Sequence, residues 1–305
     1  MSPLSPILTS FYANHCNHHW LVTRDPVLCC IMLMISSRYH VLPGAGGESR
    51  NFFIHHRLWQ HCQQLFMRLN FGQEKASKSK VRSIGTIEAL LLMTEWHPRS
   101  LHFPPESDGW DFDLVASTPG QEDSNDSDSH SENRWLEDMI EPARRSDQMS
   151  WMLLGSALSL AHELGVFEAE DKETNSPDYE GFPSVEIVKL RRQRVQRLLY
   201  VYINQLAWRI GCMSLMPQSL NHAILSGQNT RELSQLNDQW LTLMDSWMDL
   251  TKLAKSVTDM FFPSVSFARQ QLHSGRYIGL LDHFRPLLNQ WKEKYLQPHC
   301  ESTSN

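Results

Sequence analysis

His15, Cys16, His18 and His19 stand together near the start of the chain, and Cys29 and Cys30 follow soon after. Histidine and cysteine are the side chains that hold zinc. A structural zinc site needs paired ligands at spacings such as C-x2-C, so that four donors can close a tetrahedron. Here the ligands are adjacent in sequence, and neighbouring side chains cannot easily reach one ion together. The cluster therefore reads as a polar loop with aromatic neighbours, and no metal ligand is assigned. The six cysteines, Cys16, Cys29, Cys30, Cys62, Cys212 and Cys300, lack C-x2-C pairing throughout. Most lie in apolar helical stretches, where a free thiol behaves as a small hydrophobe. That usage fits a reducing compartment, cytosol or nucleus.

A second group, Glu95, Trp96, His97, Pro98 and Arg99, joins an acid, a base and a cation. General acid–base catalysis also needs a nucleophile or a phosphate-binding loop within reach, and neither stands beside it. His162 and Glu163 begin a zinc-protease pattern but lack its second histidine. There is no G-x-G-x-x-G, no G-x-x-x-x-G-K-[ST] and no G-x-S-x-G. No catalytic residue follows from the sequence, and the chain reads as a binder and not as an enzyme.

Lys189, Arg191, Arg192, Arg194 and Arg197 form a basic run. It suits a nuclear-import or phosphate-binding patch; it equally suits a solvated helix face or partners for buried carboxylates. The whole chain carries 28 Lys and Arg against 34 Asp and Glu. A free-standing DNA-binding domain is usually basic, because phosphate neutralisation dominates its affinity, so direct DNA binding by these residues is not expected.

The elements that must position these residues are helical. Asp25 as a cap and Pro26 at the first position open a helix over Pro26–Tyr39, which the run Leu42 to Gly47 breaks. A second runs from Ser49 to Leu69, with Phe52, Leu58, Trp59, Cys62, Leu65 and Phe66 on one buried face. A third spans Gly85 to Trp96 and stops before Pro98. The stretch from Pro119 to Asn133 has five acidic residues and no Lys or Arg, so it reads as an unfolded acidic insert.

The helical period returns at Arg134 and runs to Gly165, a C-terminal stop. A long helix starts at Ser184 and reaches Ile210. Two further amphipathic helices follow, one carrying Leu233 to Val257 and ending before Pro263, the other over Tyr277 to Tyr295 with a kink at Pro286. No segment alternates long enough for a strand. The expected fold is all-α, with seven or more helices and an irregular arrangement. The run Val27 to Ile35 is too short to span a bilayer, and the start of the chain has no secretory signal, so no membrane partner is expected.

Several segments go beyond composition. Trp151 to Phe167 reads WMLLGSALSLAHELGVF and Val188 to Leu215 reads VKLRRQRVQRLLYVYINQLAWRIGCMSL. Together they resemble consecutive helices of the regulatory, or middle homology, region of fungal zinc-cluster (Zn2Cys6) transcription factors. Val81 to Gly109 and Arg134 to Met149 resemble the branch that governs amino-acid and nitrogen catabolism. The resemblance covers residues 20 to 260. It departs at Asn204-Gln205, where the family often has Asp-Arg, and at Gly211-Cys212-Met213, where Gly-Arg-Pro is usual. None of the six cysteines fits the C-x2-C-x6-C halves of the zinc cluster, so Met1 would lie downstream of that module, in a truncated gene model or in a paralogue without DNA binding.

The resemblance implies the regulatory domain of a nuclear RNA polymerase II transcription factor. On that basis residues 1–25 are an N-terminal segment, 26–262 the regulatory domain with its insert at 117–133, and 263–305 a C-terminal helix and tail. No cofactor is expected in this chain; two zinc ions belong only to the absent cluster. Partners would be other transcription factors or co-activators, with DNA reached only through an absent domain or a partner. The effector or partner surface is placed at Glu95, Trp96, His97, Arg99, Trp151 and His162, which combine polar tips with apolar bodies. A small-molecule effector, and a homodimer formed through the C-terminal helices, both remain open at this point.

Overall fold

A computed structural model of the chain describes residues 14–73, 80–102, 127–168, 185–226 and 238–296, together with Ser5, Ile7 and Tyr12. The fold is all-α. The helices are α1 (His18–Arg24), α2 (Pro26–Tyr39), α3 (Gly47–Asn70), α4 (Ile84–Glu95), α5 (Ser127–Glu163), α6 (Val185–Ile210), α7 (Gln218–Ser226), α8 (Asp238–Phe261), α9 (Val265–Ser274) and α10 (Tyr277–Leu296). Two compact units divide the chain, one of Ser10–Ser156 and one of Ala157–Asn305 with Met1–Thr9. The division falls inside 26–262, the stretch read from sequence as one domain.

In the first unit α4 is the central helix. Every residue from Gly85 to Met93 is buried, and a helix apolar on all sides must be enclosed by its neighbours. α2 packs against both α3 and α4. In the middle of α4, Glu88 is fully buried and accepts a 2.6 Å hydrogen bond from Tyr12 OH.

Asp25 does not cap α2 with its side chain, contrary to the sequence expectation. Its carboxylate turns to the start of α4 instead, where Ser83 Oγ accepts the Thr86 N–H at 3.3 Å and donates to Asp25 Oδ1 at 3.1 Å. A carboxylate is favoured there because the N-terminus of a helix carries partial positive charge. Gly85 makes the approach possible: a Cβ on it would lie 2.2 Å from Asp25 Cγ and Oδ1.

The acidic insert needs correction. Residues 127–133 belong to α5, which runs unbroken to Glu163 with Pro142 inside it. The amphipathic sequence pattern from Arg134 onward supports the extension backward. Residues 117–126 lie outside the described residues. Three short helices, α1, α7 and α9, were not expected from sequence. The stop at Gly165 was, and Gly165 and Gly211 both adopt left-handed backbone at φ +60° and +69°. Each closes its helix with a paired motif: Val166 N–H to Ala161 O and Gly165 N–H to His162 O in α5, Cys212 N–H to Ala207 O and Gly211 N–H to Trp208 O in α6.

The second unit is built on α6 and α8. Arg194 stacks over the Trp240 ring at 5.9 Å, Arg197 Nη1 meets Asp245 Oδ1 at 3.6 Å, and the Tyr202 and Trp247 rings meet edge-on at 5.6 Å. The partner numbers rise together, so the two helices run in the same direction. Asn204 and Thr251 lie seven residues beyond Arg197 and Met244 on these packed faces, and both are fully buried. Asn204 Nδ2 donates to Tyr200 O at 2.7 Å, but Asn204 Oδ1 and Thr251 Oγ1 have no hydrogen-bond partner. An unpaired buried hydroxyl costs free energy that an apolar group of the same shape does not. Thr251→Val is therefore expected to raise unfolding free energy by about 1 kcal/mol in a urea titration; a clear loss of stability would contradict the assignment.

α8 also carries Asp249, which accepts from Lys294 Nζ at 2.9 Å and Tyr295 OH at 2.6 Å on α10. Burial pushes the Asp249 pKa up, but the hydrogen bonds from Tyr295 and Lys294 outweigh it and leave the carboxyl below its ordinary value. Such a group stabilises the fold above the unfolded carboxylate pKa, about 3.9, and loses that contribution as pH falls through its lower folded pKa. Asp249→Asn is expected to be less stable at neutral pH and to lose less of its stability between pH about 4 and 2, as read by thermal melts across that range. Among the described residues, no single helix is long and apolar enough to cross a membrane.

Candidate functional site

The block from Glu95 to Arg99 leaves the end of α4 and turns into a short 3-10 segment, Arg99–Leu101. α4 ends here because Pro98 holds the preceding residue in extended geometry. The backbone groups freed at this turn are taken up by side chains from α2 and α3. Arg38 Nη1 donates to the His97 carbonyl, and Arg99 Nη2 donates to the Arg38 carbonyl at 3.2 Å. The two arginines thus bind each other's chain segment reciprocally.

His55 is the centre of this arrangement. It is 3% exposed. Its Nδ1 lies 2.9 Å from the Met34 carbonyl, and its Nε2 accepts the Arg99 backbone N–H at 3.2 Å. Those two bonds require the neutral ring with its proton on Nδ1, because protonated Nε2 could not accept. Burial lowers the His55 pKa first; the charges of Arg99, Arg38 and His56 lower it further, against the Met34 bond. Ser37 Oγ donates to the same Met34 carbonyl at 2.6 Å, and Asn51 Nδ2 donates to Ser37 O. α2, α3 and the 96–102 turn are thereby held by one polar network.

The His97 ring reaches α5. Its Nε2 is 3.0 Å from Ser146 Oγ and 3.1 Å from Ser150 Oγ, one helical turn apart. A serine beside a histidine is the geometry of an activated nucleophile. Ser150 is 2% exposed, however, and a hydroxyl so enclosed does not meet a substrate; Ser146 is half-buried. The contact instead fastens the turn to a fourth helix.

Trp96 packs edge-on to Tyr39 with ring centroids 5.4 Å apart, and its Nε1 is buried with no hydrogen-bond partner. The Arg99 guanidinium lies 5.8 Å over Phe52, whose ring is exposed. The turn is thus polar inside and aromatic on its outer side.

Of the residues placed in the effector surface, Trp96, His97 and Arg99 come together in this network. Glu95 is half-buried at the last position of α4, and Trp151 is half-buried on α5. His162 is exposed near the end of α5, its ring 5.1 Å from Phe167, in the other unit of the chain. Sequence reasoning missed Arg38, His55, Ser146 and Ser150. No local pattern in the sequence marks these four, because each bond joins residues distant along the chain.

The basic run lies along the α6 seam. Arg191 is buried, Arg194 stacks on Trp240 and Arg197 pairs with Asp245, while Lys189 and Arg192 are half-buried. These side chains pack within the second unit and do not form one open cationic face. In the histidine-rich start, the His15 and His18 rings meet edge-on at 4.8 Å, with Cys16 exposed. Among the described residues no three His, Cys, Asp or Glu side chains converge as a metal-binding group.

No protein-family model matches the chain, and no solved structure matches it. Over 300 residues, 98% of its length, the chain is 72% identical to the transcription factor hmgR of Aspergillus fumigatus, and it spans 40% of that protein's length.

Proposed function

We propose that this chain is the helical regulatory part of a fungal transcription factor. The observation that carries the reading is the 72% identity, sustained along 98% of the chain, to a protein named as a transcription factor. The relative is longer than the chain, which leaves room there for a DNA-reading module. In this proposal that module is a zinc cluster holding two zinc ions, and the 305 residues themselves bind neither zinc nor DNA. The protein acts in the nucleus on catabolic genes, those of amino-acid or nitrogen metabolism, through co-activators or other transcription factors.

The part that receives the signal is the 96–102 turn. Its network joins four helices, so a ligand or partner that favours one packing over another would shift all of them together. Such a ligand acts only through its differential affinity for the two packings. Trp96 Nε1, buried and unpartnered, and the aromatic outer side of the turn support this placement. The test is the variant carrying Trp96→Ala, His97→Ala and Arg99→Ala, tethered to a reporter promoter through a heterologous DNA-binding domain in a filamentous fungus. The wild-type chain should alter reporter output relative to the tether alone, and the variant should lose that effect while still accumulating. Equal output from tether, wild type and variant would sink the proposal.

A second reading, a co-regulator that works by homodimerisation, is favoured by exposed apolar residues along the last two helices. Val265 is 79% exposed, Leu272 64% and Ile278 55%. Light scattering on the purified chain separates the two: a strict monomer removes the second.

A further inference from the structure

Cys30 on α2 and Cys62 on α3 lie 32 residues apart in sequence, yet their sulfurs are 3.4 Å apart in the core of the first unit. Both are free thiols. Cys30 sits over one turn of α3, with its Sγ also 4.0 Å from the Leu58 carbonyl. A disulfide needs sulfurs at about 2.05 Å. The gap to be closed is therefore small, and α2 and α3 are already packed against one another.

The two thiols differ in ways that suit sequential oxidation. Cys30 is 8% exposed and Cys62 is fully buried, so a small oxidant meets Cys30 first. The hydrogen bond from Cys62 favours the thiolate of Cys30 against the opposing effect of burial. That same bond, and burial, keep the proton on Cys62. The thiolate is the reactive form.

We infer that Cys30 and Cys62 form a redox-modification site, in which a hydroperoxide converts the two thiols into a reversible disulfide joining α2 to α3. In the first step the Cys30 thiolate attacks one peroxide oxygen. The O–O bond breaks, Cys30 becomes a sulfenic acid, and the departing hydroxide takes a proton to leave as water. In the second, the Cys62 sulfur attacks Cys30 Sγ, the S–O bond breaks, and the hydroxide released takes the Cys62 proton as a second water. The two thiols lose two electrons, and one hydrogen peroxide becomes two waters. A dithiol reductant reverses the change.

The position of the bond gives it a consequence. Downstream of Cys30, α2 carries Ser37 and Arg38; upstream of Cys62, α3 carries Asn51 and His55. A covalent tie between these segments would hold the spacing on which the His55 network depends. The inference stands on the two sulfurs alone and does not require the transcriptional reading.

The test uses the full 305-residue chain treated with hydrogen peroxide, then digested without reduction and mapped by mass spectrometry. The expected result is a linked peptide pair joining Cys30 to Cys62, formed in native buffer and lost with dithiothreitol. The melting temperature should rise by about 5–10 °C on oxidation and return on reduction. Cys62→Ser should abolish the link, whereas Cys212→Ser should not. Mapping the wild-type chain decides the matter even if the Cys62 variant fails to fold. Peroxide driving Cys30 to sulfinic acid without a linked pair, or a pair that forms only in urea, or linkage through Cys29 instead, would each overturn the inference.

Discussion

Gly85→Ala is expected to lower the unfolding free energy by about 3 kcal/mol or more, the upper range for overpacking a core. The added Cβ would sit 2.2 Å from Asp25 Cγ and Oδ1 and 2.7 Å from Asp25 Cβ. Neither side can yield easily. Asp25 is buried and hydrogen-bonded to Ser83, and Gly85 lies in the first turn of the most enclosed helix of the unit. Displacing the carboxylate would also strip the start of α4 of its favourable negative charge. Gly279→Ala serves as the control, because a Cβ there meets nothing within 4 Å. In a helix, alanine is favoured over glycine by roughly 0.5–1 kcal/mol. Urea titration of both variants should give changes of opposite sign, and equal effects would show that the Asp25 contact is not what makes Gly85 necessary.

His55→Ala is expected to cost about 3 kcal/mol. The substitution leaves the Arg99 N–H without its acceptor, deprives the Met34 carbonyl of one donor, and opens a cavity beneath the two arginines. The same residue predicts a pH dependence. Because its folded pKa lies below the ordinary histidine value of about 6.5, the unfolded chain takes up the proton first on acidification. Stability from the neutral ring is complete above pH about 6.5 and declines as pH falls toward the folded pKa, below which it is constant. Thermal melts from about one pH unit above that ordinary value to about two below it should show a steeper decline in the wild type than in His55→Ala. Parallel profiles would mean that folding leaves the protonation of His55 unchanged, and would contradict the lowered pKa.

The sequence made visible those features that depend on near neighbours. Pro26 at the start of α2, Pro98 after α4 and Gly165 after α5 each act within one turn, and each marks a real boundary. Short helices escaped notice because seven to ten residues in α1, α7 and α9 give too few turns for a period to stand out. The acidic composition of 127–133 argued for an unfolded segment, but composition is blind to a strong helix waiting to be extended from its C-terminal side.

The candidate site divides along the same line. Trp96, His97 and Arg99 could be singled out as a dense polar block, whereas their partners lie 44 to 61 residues away in sequence. Nothing local in Arg38, His55 or Ser150 announces those bonds. The basic run shows the converse: five cations were conspicuous, and their partners Trp240 and Asp245 on α8, which make several of them part of a packed seam, were not.

The most direct measurement replaces the matching segment of transcription factor hmgR in Aspergillus fumigatus with this chain and follows transcription of the genes that depend on that factor. The proposal predicts that the chimera restores regulated transcription, and that the Trp96, His97 and Arg99 alanine variant of the inserted chain accumulates equally but fails to do so. A chimera that is expressed in the nucleus yet leaves those genes as they are in a deletion strain would contradict it.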